Sequence, residues 1–357
     1  MEVAIIGSGI SGLACAFRLN QLGIKPTIFE RRAVVGEAIN LYGIHLNSFN
    51  LFSDNPLKLF ENNYNLKIKP MCPIRKIIMY LGSRKVTVRG SKLGYIFNRG
   101  PGMGSLERQL FDQVDAFFYY DTYIMPELID DISKEFDAVV IATGGTDIPK
   151  HLGVLEEDLV IQVKSGIIEG KYEPCQIYAW MKTEYSNNLF VYLIPVTENR
   201  AFITLLADDI TPDELDYKWK DMLISENITN TILQTWEHEY HGGRLKTNRI
   251  GNIYFIGNAG GFTDDFVGFG IINGIMSGIF AADAIVLGTD YQKSIQKIMK
   301  CLDKIHNFKL LVKKTGSNAW KFMTGVMGLP GLCHIVYKKP LIKFHHLGGI
   351  IGSFVRE

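Results

Sequence analysis

The sequence predicts an α/β protein, in which a parallel-sheet domain is interrupted by a mainly antiparallel β-sheet domain and followed by a helical tail. Three observations carry that reading. Residues 3–30, VAIIGSGISGLACAFRLNQLGIKPTIFE, pass from a short apolar run through Gly7, Gly9 and Gly12 into a helical pattern, and a second apolar run ends on Glu30. Residues 136–141 (FDAVVI) and 253–256 (IYFI) are continuous apolar runs that each end at a glycine-rich turn, as buried strands of a parallel sheet do. Between 151 and 242 the runs alternate or are aromatic and turn residues separate several of them, the pattern of antiparallel strands.

The first stretch reads as strand, glycine turn, helix and strand, with an acid 18 residues beyond the third glycine. In a Rossmann-like dinucleotide site each of these residues has a physical task. Gly7 permits the tight turn, Gly9 lets the backbone approach a pyrophosphate, and Gly12 lets helix and strand pack closely. The pyrophosphate rests on the helix N-terminus, where unpaired N–H groups and the helix dipole favour an anion, with Ser8 and Ser11 beside it. Glu30 accepts hydrogen bonds from a ribose.

With 357 residues, 47% of them apolar and 21% charged, the chain is expected to hold two intergrown globular domains. Cys15, Cys72, Cys175, Cys301 and Cys333 are scattered and odd in number, without CxxC spacing. That pattern suggests neither a disulfide framework nor a zinc site, so no metal is expected and a reducing cytoplasm is. Glu2 and the interrupted apolar run are unlike a signal peptide, and no uncharged stretch reads as a membrane span. The net charge of +1 hides an asymmetry: from Tyr291 onward twelve Lys and Arg face only Asp303 and Glu357, a net of +10 that leaves −9 for the rest. A basic tail on an acidic body points to a polyanionic surface, and the tail has no recognised nucleic-acid motif.

Along the chain, Arg31 and Arg32 are candidate contacts to the adenosine phosphate region, or solvated loop charges. Residues 37–50 read as a polar, aromatic loop leading towards the cofactor, with His45 between apolar neighbours. A short helix is expected at 56–63, and paired strands at 74–80 and 85–89 with a turn at Gly82 and Ser83. Arg99, before the glycine-rich turn 100–104, is a candidate contact to a cofactor phosphate or ring, or a surface ion pair. Ser105 suits the N-cap of a helix reaching about residue 114. Residues 117–123 read as a strand, and 136–141 ends at Ala142, Thr143, Gly144 and Gly145, where the backbone can pass close to a ligand.

Strands are expected at 159–163, 176–180, 189–194 and 201–206. Thr211, Pro212 and the acids behind them open a helix through about residue 225, and 228–233 continues helically towards Trp236. The strand 253–256 runs into GNAGG, a loop with Asp264 and Asp265, and then Gly268, Phe269 and Gly270 at the start of a Gly/Ala-rich helix. Residues 291–312 read as an amphipathic helix with Lys293, Lys297, Lys300 and Lys304 on one face. From Gly325 the tail is broken by glycine and proline, with apolar clusters at 326–332, 334–337 and 347–355.

GSGISG with Glu30, IATGG at 141–145 and GNAGGFTDDFVGFG at 257–270 together resemble the FAD-binding signatures of flavoproteins built on the p-hydroxybenzoate hydroxylase plan. Within that group the chain is most similar to the geranylgeranyl reductase family, over roughly its first 290 residues. The resemblance implies a Rossmann-like FAD-binding domain from residues 1–70, 97–150 and 243–290, an inserted substrate domain from 71–96 and 151–242, and a basic helical tail at 291–357. It places the FAD pyrophosphate on Gly7, Gly9 and Gly12, with the adenosine ribose on Glu30. Thr143 and Gly144 close that end. Asn258 stands where the family usually carries an aspartate contacting the ribityl chain or pyrophosphate. Backbone N–H groups of Gly268, Phe269, Gly270 and Ile271 are implied at the pyrimidine edge of the flavin. Two departures are visible: GEAINLYG lacks the family's cysteine, and its proline is replaced around Asp264 and Asp265.

The function this implies is an FAD-dependent oxidoreductase that reduces carbon–carbon double bonds of a prenyl or other apolar substrate, as in lipid metabolism. Tyr192 and His45 are the candidate proton sources. With one dinucleotide fingerprint, electrons come from transiently docked NAD(P)H or from an electron-transfer protein such as ferredoxin. The basic tail is expected to rest on an anionic lipid surface, as in a cytoplasmic protein peripheral to the inner face of the membrane. The alternatives are a flavin monooxygenase on the same plan and a non-catalytic flavin carrier or binding protein.

Overall fold

The computed structural model describes residues 1–315 apart from Asn50, Ser53, Asp54, Gly82, Ser83, Asn188 and Val267. The expected turn at Gly82 and Ser83 and the apolar clusters beyond Gly325 lie outside the described residues. A six-stranded sheet has the order Arg249–Ile250, Ile253–Phe255, Ala138–Ile141, Val3–Ile6, Thr27–Phe29, Phe117–Tyr119, and all its pairs but the first are parallel. Its two central strands are buried at every residue. That is why they are unbroken apolar runs rather than alternating ones. The strand expected over 117–123 is shorter than its aromatic run, because only Phe117–Tyr119 finds partners on Thr27–Phe29.

Two helices cross on one face of this sheet, Ile10–Gln21 and Ile271–Leu287. Their approach is close enough that a Cβ on Gly278 would lie 2.3 Å from the Ser11 carbonyl oxygen. The second helix ends at Gly288 in the left-handed conformation, φ +68°. The helix Tyr291–Thr315 then returns over the core and buries Ile295, Ile298, Leu302 and Ile305 along one face, the expected amphipathic pattern.

The second sheet is a seven-stranded platform, ordered Ile232–Leu245, Leu155–Glu169, Arg200–Asp208, Val191–Pro195, Gln176–Met181, Lys76–Leu81, Arg84–Arg89. All of its pairs are antiparallel except Gln176–Met181 against Lys76–Leu81. The helical reading of 228–233, continued towards Trp236, is corrected here. Residues 232–245 form a long edge strand, pairing from Leu155↔Leu245 to Ile168↔Ile232. ILQTWEHEYH alternates two faces and carries Thr, Trp and Tyr, and pairing along a long neighbour outweighs its local helical pattern.

A third sheet joins Leu41–Leu46, Gly94–Arg99 and Cys72–Pro73. The loop reading of 37–50 is therefore also corrected for its second half. Gly43 sits inside the strand, and a Cβ there would meet the Ile271 side chain at 2.7 Å. Among the described residues no helix is long and apolar enough to cross a membrane.

Candidate functional site

One cavity of about 970 Å³ runs from the first glycine turn to the underside of the platform. At its first end Gly7 has φ +105°, and a Cβ there would lie 2.6 Å from the Ala142 oxygen; at Gly12 it would lie 2.2 Å from the Gly7 oxygen. These two glycines close the turn against the sheet. Gly9 is different: a Cβ there would touch only the Ala142 oxygen, at 4.0 Å, so its open side faces the cavity. Gly9 caps a 12-residue helix whose first intrahelical bond is Leu13 N–H to Gly9 O, which leaves the N–H groups of the first turn directed outward. The turn, the helix terminus and the open glycine together form an anion cradle.

Glu30, 9% exposed, stands beside the cradle. One carboxylate oxygen accepts from the Ser8 N–H at 2.9 Å and the Ser8 hydroxyl at 2.5 Å; the other accepts from the Arg32 N–H at 2.9 Å. The two bonds from Ser8 occupy one oxygen, and the other keeps a lone pair open to a ribose hydroxyl. Arg31 is exposed on the cavity wall. Ser11 lines the cavity too, but its hydroxyl also fills the notch left by Gly257 and Gly274, where a Cβ would approach it at 2.2 and 2.9 Å.

Thr143 and Gly144 form the next stretch of wall, and Gly144 has φ +76° with open space where a side chain would stand. Asn258 faces them and all its side-chain groups are engaged. Its Oδ1 accepts from the Tyr240 hydroxyl at 2.5 Å, and its Nδ2 donates to the Gly144 and His241 oxygens, each at 2.5 Å. Arg99 lines the cavity while its Nε donates to Glu107 Oε1 at 2.6 Å, so the ion pair read from sequence at the surface is a buried one. Glu107 is fully buried and also accepts from the Gly100 N–H at 3.0 Å.

The loop before the helix Ile271–Leu287 is folded around Asp264. That carboxylate accepts from the N–H groups of Phe266 and Phe269 at 3.1 and 2.8 Å, and the Asp264 carbonyl accepts from the Gly268 N–H at 3.2 Å. The N–H groups of Gly268 and Phe269, expected to face a ligand, are therefore turned towards Asp264. Gly270 caps the helix, whose first internal bond is Gly274 N–H to Gly270 O at 2.7 Å. The first-turn N–H groups beginning at Ile271 form the open donor edge.

The platform end of the cavity is mostly apolar and aromatic, with Ser165, Thr204 and the edge-strand residues Gln234, Glu237 and His238 among its polar lining. Phe202 contacts the Tyr42, Tyr192 and Trp236 rings at centroid distances of 5.5, 5.9 and 5.9 Å. Met79, Ala179, Tyr192, Thr204, Ser165 and Trp236 stand in one row across five paired strands and the edge strand beyond them. Tyr192 thus lies in the chamber, where its hydroxyl donates to the Tyr42 oxygen at 3.4 Å and burial pushes its phenol pKa up. His45 does not line this cavity. It is 5% exposed, burial pulls its pKa down to about 3, and it borders a separate space of about 20 Å³ with Asp264 and Ile271. Sequence reasoning missed Tyr240 and Trp236, because the start of their strand read as helix and the rest was given no element. It also missed Tyr42, because that strand read as a loop.

The family of NAD(P)-binding Rossmann-like domains matches residues 5–62. Among curated proteins no sequence matches the chain. Among solved structures, the chain is similar to a geranylgeranyl bacteriochlorophyll reductase-like protein from Thermoplasma acidophilum, with TM-score 0.73 and 14% identity over 99% of this chain and 98% of that one. A flavoprotein/dehydrogenase from Cytophaga hutchinsonii gives TM-score 0.66 at 14% identity, over 99% and 98% of the two chains. A flavin-dependent brominase gives 0.64 at 15% identity over the whole of both. The chain therefore has the fold of these flavoproteins, a Rossmann-like nucleotide-binding domain carrying a separate antiparallel platform.

Proposed function

We propose that the chain binds FAD along this cavity and reduces a carbon–carbon double bond of a prenyl-like or other apolar molecule held beneath the platform. The observation that carries the reading is the continuity of one cavity between two chemically opposite ends, an anion cradle at Gly7–Ser11 and an aromatic chamber around Phe202. The residues fit the cofactor. Gly9 leaves room for a pyrophosphate, Glu30 offers an acceptor to a ribose, and the wall at Gly144 is open enough for the chain between them. When bound, FAD supplies a hydride acceptor and donor at its ring, chemistry that no side chain carries.

The protein's own part is to bind, orient and exclude water. The first-turn N–H groups beginning at Ile271 would hold the electron-rich edge of the ring and would stabilise negative charge there. The aromatic chamber desolvates an apolar substrate and offers it stacking surfaces. Tyr192 is the proton source at hand, and its hydroxyl bond to the Tyr42 oxygen fixes its position rather than acidifying it. NAD(P)H or an electron carrier such as ferredoxin delivers the electrons. The basic tail, net +10, rests on anionic lipid in this reading, which binding to anionic liposomes at low but not high salt tests.

Anaerobic incubation of reduced protein with geranylgeranyl-bearing lipids, followed by mass analysis, tests the reaction. A product two mass units heavier per bond supports it. Likeness to a brominase shows that this fold is not tied to reduction. Oxygenated product from an aerobic mixture, with no anaerobic product, would instead establish a monooxygenase.

A further inference from the structure

Behind the loop that leads to Gly270, outside both cavities, lies a buried ionic knot. Asp264 and its neighbour Asp265 face opposite ways. The first folds the loop around its own carboxylate, whereas the second points out of the loop into the C-terminal helix. Asp265 Oδ2 lies 2.8 Å from His306 Nδ1 and 3.7 Å from Lys309 Nζ. Lys309 in turn reaches Asp208 Oδ2 at 3.8 Å, at the end of a central platform strand, and His306 Nε2 lies 3.4 Å from Glu157 on the neighbouring strand. The side chains of Lys309 and Asp208 are 8% and 4% exposed. Burial pushes the Asp265 carboxyl up, but the hydrogen bond with His306 and then the Lys309 ammonium outweigh it and hold the group below its usual range.

We infer that His306 and Lys309 are positioning residues for the cofactor loop: the C-terminal helix sets where residues 263–270 sit, and thereby how tightly the ring end of FAD is held. This rests on the FAD reading above. The physical reason is the cost of charge in a dry place. Carboxylates from two elements, Asp208 buried and Asp265 partly so, share one buried ammonium, so moving the loop away from Lys309 gives up a charge contact in a place largely shielded from water. Among its described residues the loop has no strand or helix of its own between Gly261 and Gly270. Its internal bonds to Asp264 fix its shape, but contacts to other elements must fix its place. Asp265 supplies charged contacts for that purpose, three residues before Gly268.

The test uses the full chain, with and without FAD, in three variants: Lys309→Met, Lys309→Arg and Asp265→Asn. Amide hydrogen exchange over 263–270, FAD affinity and the visible flavin spectrum are the readouts, with melting temperature as the control for general damage. Lys309→Met is expected to speed exchange in the loop while exchange over the segment 7–12 is unchanged in the cofactor-free protein, to weaken FAD binding about tenfold, and to alter the flavin band. Lys309→Arg keeps the charge and is expected to restore all three. Asp265→Asn loosens the same loop at a smaller loss of melting temperature, and it decides the matter if Lys309→Met does not fold. Unchanged loop exchange and an unchanged flavin spectrum, with only the melting temperature lowered, would overturn the inference. If the wild-type chain takes up no FAD, the exchange data on the cofactor-free protein still decide whether the knot places the loop.

Discussion

The Tyr240 hydroxyl donates to Asn258 Oδ1 at 2.5 Å, and through that amide a platform strand is joined to the wall of the nucleotide domain at Gly144. Two backbone oxygens, of Gly144 and His241, converge on Asn258 Nδ2. An aspartate at this position would set a carboxylate against both, with no proton to give. The side-chain amide is thus demanded by its surroundings. Asn258→Asp should destabilise the protein by about 0.5–1.5 kcal/mol, the worth of the hydrogen bonds lost at a partly exposed site, and lower FAD affinity. Urea denaturation of the cofactor-free protein beside FAD titration measures both; an Asp variant as stable as wild type would contradict the assignment.

Glu30 joins the glycine turn to the second strand through Ser8 and Arg32. Glu30→Gln replaces one acceptor oxygen by a donor facing donors and removes the charge that strengthens a ribose hydrogen bond. FAD affinity is expected to fall roughly tenfold, about 1.4 kcal/mol, with the platform unaffected. Isothermal titration with FAD reads this directly.

Helix crossing makes Gly278 irreplaceable, since a Cβ there would lie 2.3 Å from a backbone oxygen and 2.9 Å from the Cys15 nitrogen. Gly278→Ala should cost about 1–3 kcal/mol by forcing the two helices apart. Gly102, with nothing within 4 Å of its virtual Cβ and no positive φ, is the matched control and should tolerate alanine. Equal melting temperatures for the two variants would contradict this packing.

His45 sets a pH dependence. Burial lowers its pKa to about 3 in the folded chain, against 6.5 for the free side chain. Below 6.5 the unfolded chain takes up a proton that the folded chain refuses. The contribution to stability is therefore intact above that value and is lost as pH falls from 6.5 towards 3, by about 1.4 kcal/mol per pH unit from this group. His45→Leu should flatten that limb of the stability profile. Denaturation midpoints between pH 7 and pH 5 compare the two proteins.

Ala179 is the small residue beside Tyr192 in the chamber row. Ala179→Phe should fill part of the chamber, raising KM for an apolar substrate about tenfold or more while leaving FAD affinity unchanged. Loss of FAD instead would place the cofactor where the substrate is assigned.

Much of this was legible in the sequence because it is written in local rules. Gly7, Gly9, Gly12 and Glu30 each answer to a backbone or hydrogen-bond requirement within one βαβ unit, and unbroken apolar strands announce burial on both faces. The errors fell where partners decide. ILQTWEHEYH pairs with a strand some 75 positions earlier, so its conformation is set by a neighbour that its own pattern does not name. With that strand went Trp236 and Tyr240. The knot of Asp265, His306 and Lys309 was equally invisible, since nothing in the spacing of those residues shows that a loop and a later helix meet.

The most direct test of the central claim is the cofactor itself. The chain, purified and given free FAD, should show a flavin absorption band after desalting and release about one FAD per chain on denaturation. Glu30→Gln and Asn258→Asp should retain less of it. A wild-type protein that folds, yet remains colourless after incubation with FAD, would contradict the account.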